Sequence, residues 1–319
     1  MSAADREIPV GVVGVGHLGR HHARLYAGLP GARLVAVADR DLELARSIAA
    51  KYDCEAYGDG RELIGRVEAA SVAVPTEAHA EVGELLLSAG IDVLIEKPLA
   101  PTLAEADSIN ATAERSSRLV MVGHSERFHP AVVALAGQVQ APRFFEIHRL
   151  AAFSARSTDI DVVLDLMIHD LDLLLYLDGT EPRSVTAVGV RALTDRVDIA
   201  NARIRFASGC VANLTASRIS AEAVRRVRVF QAGTYLACDT IRGKLERYRL
   251  VTGGGGGGGA PQIVRECVAV EEAEPLALEL GAFLEAVRSR VTPQVDGLHG
   301  RRVLDLAHRV RAAIETEQV

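Results

Sequence analysis

The sequence predicts an α/β chain in two parts: a doubly wound parallel sheet over residues 1–123, then an α+β domain over 124–319 with a large, mostly antiparallel sheet. Three observations predict it. Short β-branched runs alternate with helical stretches as far as Gly123. A glycine-rich turn, Gly14-Val15-Gly16-His17-Leu18-Gly19, follows the first of those runs. Beyond Gly123, segments of alternating polarity are separated only by short turns.

In the first part Ile8–Val13, Arg33–Ala38, Ser71–Val74, Asp92–Ile95 and Leu119–Val122 read as strands, with helices at Asp41–Lys51, Glu77–Ser88 and Leu103–Ser116 between them. Strands that are apolar throughout are buried on both faces, which indicates a parallel sheet covered by helices. In the second part a helix near Pro130–Gly137 precedes a strand at Phe144–Arg149 and a strong helix over Val162–Leu177. Strands follow at Ser184–Val190, Ala200–Phe206, Cys210–Ser217, Arg225–Gln231, Tyr235–Cys238 and Lys244–Val251. The glycine run Gly253–Gly259 reads as low-complexity slack in a surface loop rather than a phosphate cradle. The segment Gln262–Val270 follows that run, and helices at Leu276–Arg288 and His299–Thr316 close the pattern.

A chain of 319 residues is long enough for two cores. With 49% hydrophobic and 24% charged residues, a net charge of −6 and a pI near 6.0, it gives no electrostatic reason to expect nucleic acid or an anionic membrane as partner. The stretch Met1–Glu7 carries charges of both signs and does not read as a signal peptide, and no apolar stretch reaches the ~18 residues of a membrane span. The four cysteines are scattered without a CxxC pair, which fits a reducing cytoplasm and neither structural zinc nor a disulfide framework.

The glycine turn sits between a strand and a helix, where each glycine has a task. Gly14 permits the tight turn, Gly16 lets the backbone approach a pyrophosphate, and Gly19 lets the helix pack closely on the strand. The free N–H groups and dipole at the helix start favour phosphate charge. Asp39, ending the second strand, is placed to accept hydrogen bonds from both adenosine ribose hydroxyls and to repel a 2′-phosphate, so NAD is expected over NADP. Arg40 beside it would accommodate that phosphate if it turned inward. A plain helix N-cap is the competing role for Asp39, one that Asp41 would serve equally well.

Two further constellations can carry chemistry. Glu96-Lys97-Pro98 ends the Asp92–Ile95 strand, at the edge of the sheet where ligands bind, and a lysine there can hold a substrate oxygen and stabilise negative charge. On the helix Val162–Leu177, Asp161, Asp165 and His169 recur at four-residue spacing, with Asp172 three further on. A histidine beside an aspartate can act as a general base. The competing readings are a structural histidine and a divalent-metal site built from the same three residues. The loops Val74-Pro75-Thr76-Glu77-Ala78-His79 and His124-Ser125-Glu126-Arg127-Phe128 also lie at strand ends, with Thr76 as a plain helix cap the simpler role for the first.

In order and spacing these motifs resemble the glucose–fructose oxidoreductase/inositol dehydrogenase/MocA family of two-domain dehydrogenases. The resemblance runs from the Gly14–Gly19 turn through Pro75–His79 and Glu96-Lys97-Pro98 to Asp165-x-x-x-His169. It implies a Rossmann domain followed by an open-faced sheet domain that mediates homodimers or homotetramers. The implied cofactor site comprises Gly14, Gly16, His17, Leu18, Gly19, Asp39, Arg40, Pro75, Thr76, His79, Glu96 and Lys97. The implied catalytic set is Lys97, Asp165 and His169, with His169 taking the hydroxyl proton, Lys97 polarising the oxygen, Asp165 tuning both, and a cis peptide before Pro98. No metal is required, because the cofactor accepts the hydride. The chain departs from the family pattern at Asp159–Val163 and Met167-Ile168, where members often carry glycines, which bears on the shape of the substrate site.

The stretches Gly123–Pro130 and Arg156–His169 look most like a sugar-nucleotide group whose members include UDP-N-acetylglucosamine 3-dehydrogenases. Arg127, Arg149 and Arg156 would then hold a diphosphate, unless they serve as ion pairs. The expected activity is NAD-dependent oxidation of a secondary hydroxyl of a sugar or sugar nucleotide. The competing activities are a non-catalytic NAD-binding regulator on the same fold and an NAD-dependent glycosidase.

Overall fold

The computed structural model describes residues 6–153, 160–251 and 261–317. The glycine run Gly253–Gly259 and Arg156 lie outside these. The chain divides into two compact units, one of residues 1–125 with Glu274–Leu304, the other of Glu126–Ala273 with residues 305–319.

The first unit is built on β1 (Ile8–Val13), α1 (Gly19–Tyr26), β2 (Ala32–Ala38), α2 (Leu42–Tyr52), β3 (Glu55–Tyr57), β4 (Ala69–Val72), α3 (His79–Ser88), β5 (Asp92–Glu96), α4 (Leu103–Ser116) and β6 (Val120–Gly123). Its six strands are parallel and ordered β3-β2-β1-β4-β5-β6. The strand order reverses between β1 and β4, and ligands of such sheets bind in the crevice at that point. Strands β4, β5 and β6 are buried along their whole length, as their unbroken apolar sequences require. Side chains set the helix starts: Asp41 accepts the Leu44 N–H at 3.1 Å, and Thr102 and Glu105 form a reciprocal cap on α4. The edge strand β3 was not foreseen, because three partly exposed residues carry no periodic signal.

The second unit begins with α5 (Pro130–Ala136) and β7 (Phe144–Leu150). A π-helical turn over Val163–Met167 leads into α6 (Ile168–Asp178). Seven strands follow: β8 (Pro182–Val190), β9 (Ile199–Phe206), β10 (Val211–Ser217), β11 (Val224–Gln231), β12 (Thr234–Asp239), β13 (Lys244–Val251) and β14 (Gln262–Val268). The sheet runs β14-β13-β12-β11-β7-β10-β9-β8 and is antiparallel except where β7 pairs with β10. That parallel pair arises because α6 and two strands intervene before the chain returns beside β7. One face carries buried Ile147, Ile204, Leu214, Val229, Leu236 and Leu245. The other is open, and across it Phe144, Phe230, Tyr235 and Tyr248 stack on successive strands with centroids 4.8–5.8 Å apart.

The expected division at 123/124 is corrected on one point. Residues 274–304 belong with the first unit, not with the sheet of the second. The reason is the free edge of β6. Val122 N–H donates to Val295 O at 2.9 Å, Met121 bridges Asp296, and Asn110 donates to Gly297 O at 3.0 Å, so this segment covers an otherwise unpaired strand. The helix α7 (Pro275–Ser289) packs on α1, and the chain leaves the unit within α8 (Gly297–Glu317).

In the second unit the bend between β8 and β9 is closed by one carboxylate. Asp198 accepts the N–H groups of Ala192, Leu193 and Thr194 at 2.7–2.9 Å and the Thr194 hydroxyl at 2.7 Å. Burial alone would raise this carboxyl, but those donors outweigh it and hold it down at about 2. The adjacent Val197 carbonyl accepts the Val162 N–H at 3.0 Å, tying the bend to the start of the helix that carries Asp165. Asp198→Ala is expected to cost about 2–3 kcal/mol in urea unfolding at pH 7. A depressed carboxyl stabilises above its unfolded value, near 4, and loses that contribution as pH falls toward 2. The gap between parent and variant should therefore narrow in the same measurement near pH 2–3.

Candidate functional site

In the first unit the turn after β1 fulfils the geometric demands made of it. Gly14 has φ of +83°, and a Cβ there would lie 2.6 Å from the Ala73 carbonyl oxygen. A Cβ on Gly19 would fall 1.7 Å from the Gly14 oxygen, so α1 can begin this close to β1 only without a side chain. A Cβ on Gly16, by contrast, meets nothing within 4 Å. Gly16 borders a cavity of about 610 Å³ lined also by Gly14, His17, Leu18, Asp39, Arg40 and Pro75.

Asp39 is not the helix cap; Asp41 is. The Asp39 carboxylate instead accepts the Val15 N–H at 2.8 Å and the Asp41 N–H at 3.0 Å, which locks the glycine turn against the end of β2. Each oxygen retains lone-pair capacity for a further donor from the cavity. Of the residues expected to contact a cofactor, Gly19, Thr76, His79, Glu96 and Lys97 do not line this cavity. Gly58, Asp59, Gly60, Arg61, Glu81 and Leu85 do, and sequence reading missed them. The turn Gly58-Asp59-Gly60 was the available signal, hidden behind the unrecognised β3.

The loop after β5 lies elsewhere on the same sheet edge. The Lys97–Pro98 peptide is cis, as the resemblance implied. Glu96 is buried and Lys97 half-buried; the Lys97 N–H donates to Glu96 Oε2 at 3.2 Å. Burial pushes the Glu96 carboxyl up, but the hydrogen bond and charge of His22, together with Lys97, hold it below the usual range. His79 is buried between two loops, with ring nitrogens 2.9 Å from Pro98 O and 3.0 Å from Val74 O, and as a neutral ring it donates to one of these carbonyls at a time. Burial lowers its pKa against the pull of those carbonyls. Thr76 starts a short 3₁₀ turn without capping a helix through its side chain.

In the second unit the π-helical turn carries Asp165. The Ile168 N–H reaches back five residues to Val163 O, so the turn holds one residue more than an α-helical turn. Asp161 is its cap, accepting the Val163 and Leu164 N–H groups at 2.9 and 3.1 Å, and its other oxygen takes Arg311 Nε at 2.8 Å. That carboxylate is thus used by the backbone and an arginine rather than by a metal. Asp165 and His169 are half-buried. Asp170 and Asp172 point inward to Arg149 and Arg127, the first pair with contacts of 2.8–3.1 Å and the second with an Nε–Oδ2 distance of 3.1 Å. Arg149 also meets Glu126 at 3.3 Å, and the Arg127 guanidinium lies over the Tyr176 ring. Both arginines are therefore buried in internal ion pairs, and the diphosphate contact expected of them is replaced by these carboxylates.

Comparison with known proteins agrees with this architecture. Residues 8–124 match the model of an oxidoreductase family with an NAD-binding Rossmann fold, and residues 132–234 match the GFO/IDH/MocA C-terminal domain. The chain belongs to the GFO/IDH/MocA oxidoreductase family. It is 43% identical over 307 residues, 96% of each chain, to a UDP-N-acetylglucosamine 3-dehydrogenase of Acidithiobacillus ferrooxidans. A solved structure of that organism's enzyme superposes with a TM-score of 0.90 at 40% identity, covering 97% of this chain and 98% of that one. An inositol 2-dehydrogenase of Rubrobacter xylanophilus is 40% identical over 200 residues, 60% of this chain and 58% of its own.

A nicotinamide dinucleotide, the cofactor of this oxidoreductase family, fits the residues present. The support is the open space over Gly16, the helix start at Gly19 with no side-chain cap on its N–H groups, and the Asp39 carboxylate among the residues lining the cavity. Because nothing borders a Cβ at Gly16, Gly16→Ala should leave the melting temperature within about 2 °C of the parent. It should nevertheless weaken dinucleotide binding about tenfold or more by fluorescence titration, since the methyl occupies the space a phosphate needs. An unchanged affinity would place the phosphates elsewhere.

Proposed function

We propose that this protein is an NAD-dependent dehydrogenase of a sugar nucleotide, oxidising the 3-hydroxyl of UDP-N-acetylglucosamine to the 3-keto sugar. The observation that carries the reading is likeness along nearly the whole chain to a relative bearing that activity in its name, coupled to an intact Lys97 and Asp165–His169 set. Bound NAD supplies the hydride acceptor. Gly14, Gly16, Leu18 and Asp39 hold it, and Asp39 favours NAD over NADP by repelling a 2′-phosphate. His169 accepts the hydroxyl proton, Asp165 sets its orientation and charge, and the Lys97 ammonium holds the oxygen as negative charge grows. With Arg127 and Arg149 paired internally, the diphosphate falls to other donors; Arg156 lies outside the described residues.

The protein acts in the cytoplasm in this reading, consistent with scattered free cysteines. It assembles as a homodimer or homotetramer through the open face of its large sheet, where the Phe230–Tyr235–Tyr248 stack and exposed Ile263 and Leu250 lie uncovered. Light scattering of the purified chain should give twice or four times the chain mass, and Tyr235→Asp should lower it; a monomeric parent would overturn this assembly.

The reaction is tested by absorbance at 340 nm with NAD and a panel of UDP-sugars, inositol and free sugars, using an aminotransferase with glutamate to pull unfavourable oxidations forward. NADH should form with UDP-N-acetylglucosamine. Formation with inositol alone would discard the sugar-nucleotide substrate but keep the dehydrogenase. NAD binding without turnover would favour the regulator or glycosidase reading. Lys97→Ala and His169→Ala should each lower kcat by about a hundredfold or more while leaving NAD affinity within about threefold.

A further inference from the structure

Beneath Lys97 the first unit holds a chain of buried polar groups that the proposed reaction does not use. His22, on α1, is fully buried. Its Nε2 lies 2.9 Å from Glu96 Oε1 and its Nδ1 lies 2.9 Å from Ser71 Oγ on β4, and the Tyr26 hydroxyl reaches the same Oγ at 3.0 Å. A carboxylate only accepts, so Nε2 donates to Glu96, while Nδ1 and the Tyr26 hydroxyl share the Ser71 hydroxyl as hydrogen-bond partner. The other oxygen of Glu96 receives the Lys97 N–H. Packing leaves this carboxyl no freedom, for a Cβ on Gly123 would lie 3.0 Å from it. The order Ser71–His22–Glu96 has the parts of a nucleophile relay, but Ser71 is fully buried and no substrate reaches its hydroxyl.

From this geometry we infer that His22 is a positioning residue for Lys97. It holds Glu96, Glu96 accepts the backbone N–H of Lys97, and the lysine is thereby keyed to the helix that closes the dinucleotide turn. Burying a histidine and a glutamate in a sheet–helix layer is costly unless both are fully hydrogen-bonded. That the layer carries them under the loop of an ammonium group, where a leucine would pack, is the mark of a functional constraint. The inference rests on the reading of Lys97 as catalytic, so the experiment measures both.

His22→Leu and His22→Gln are compared with the parent and with Lys97→Ala. His22→Leu should lower kcat about tenfold or more, with KM and the Kd of NAD by fluorescence within about threefold, whereas His22→Gln, whose amide can still donate to Glu96, should recover most of the loss. In the Lys97→Ala background His22→Leu should change kcat by less than about twofold, because residues acting through one group are not additive. A second readout is independent of turnover. Lys97 shares the sequence with only Lys51 and Lys244, so its acetylation by acetic anhydride can be followed by mass spectrometry against those two as internal references. Lys97 should label faster in His22→Leu than in the parent.

Near-parental kcat in Lys97→Ala would overturn the reading of Lys97 and this inference with it. Loss in Lys97→Ala with none in His22→Leu, losses that multiply in the double variant, or unchanged Lys97 labelling would overturn the inference alone. Should His22→Leu fail to fold, His22→Asn against His22→Gln carries the same comparison, with kcat expected to fall only in His22→Asn, whose shorter amide does not reach Glu96.

Discussion

The approach of α1 to β1 is the constraint on which the first unit depends. With 1.7 Å between the Gly14 oxygen and a hypothetical Cβ at Gly19, helix and strand touch backbone to backbone. That closeness has two results. It leaves the start of the helix open to a cavity instead of packed beneath side chains. It also brings the inner face of α1 within one imidazole of the sheet, so that His22 spans from α1 to β4 and the end of β5. Asp39 completes the arrangement by fixing the turn from the side of β2.

The second unit solves a different problem, a helix that must be polar on both sides. Asp165 and His169 stay half-exposed, while Asp170 and Asp172 enter the interior and meet Arg149 and Arg127. A buried carboxylate is tolerated only with its partner, and removing one member of such a pair costs about 3–5 kcal/mol, more than the net worth of the pair. The Asp170 carboxyl is still pushed up by burial, even with Arg149 pulling it down. These pairs give α6 a single rotational setting, and the π-helical turn before it alters the phase at which Asp165 is presented.

Much of this was legible in sequence. Apolar strand runs and the glycine turn located five of the six strands of the first sheet, and the pattern beyond Gly123 located seven of the eight strands of the second, β14 being left untyped behind the glycine run. Asp39 was legible as a residue but not in its bonding, since a cap and a turn-lock call for the same side chain. The arginines misled because guanidinium groups at helix and strand positions look alike whether they face a ligand or a buried aspartate; only the inward turn of Asp170 and Asp172 separates the cases. His22 gave no signal because its partners, Ser71 and Glu96, stand 49 and 74 residues away. Nor could a π-helical turn be read from a helical period it interrupts.

The covering of β6 by residues 295–296 bears on how the chain reaches this state. The first unit is discontinuous in sequence, closed by a segment that follows the whole second sheet. During synthesis the parallel sheet emerges early but waits for well over a hundred further residues before its last edge is sealed and α7 comes down on α1. In that interval an unpaired apolar strand is exposed to any neighbouring chain, so the sequence of events at the ribosome, more than the final free energy, sets the hazard of misassembly.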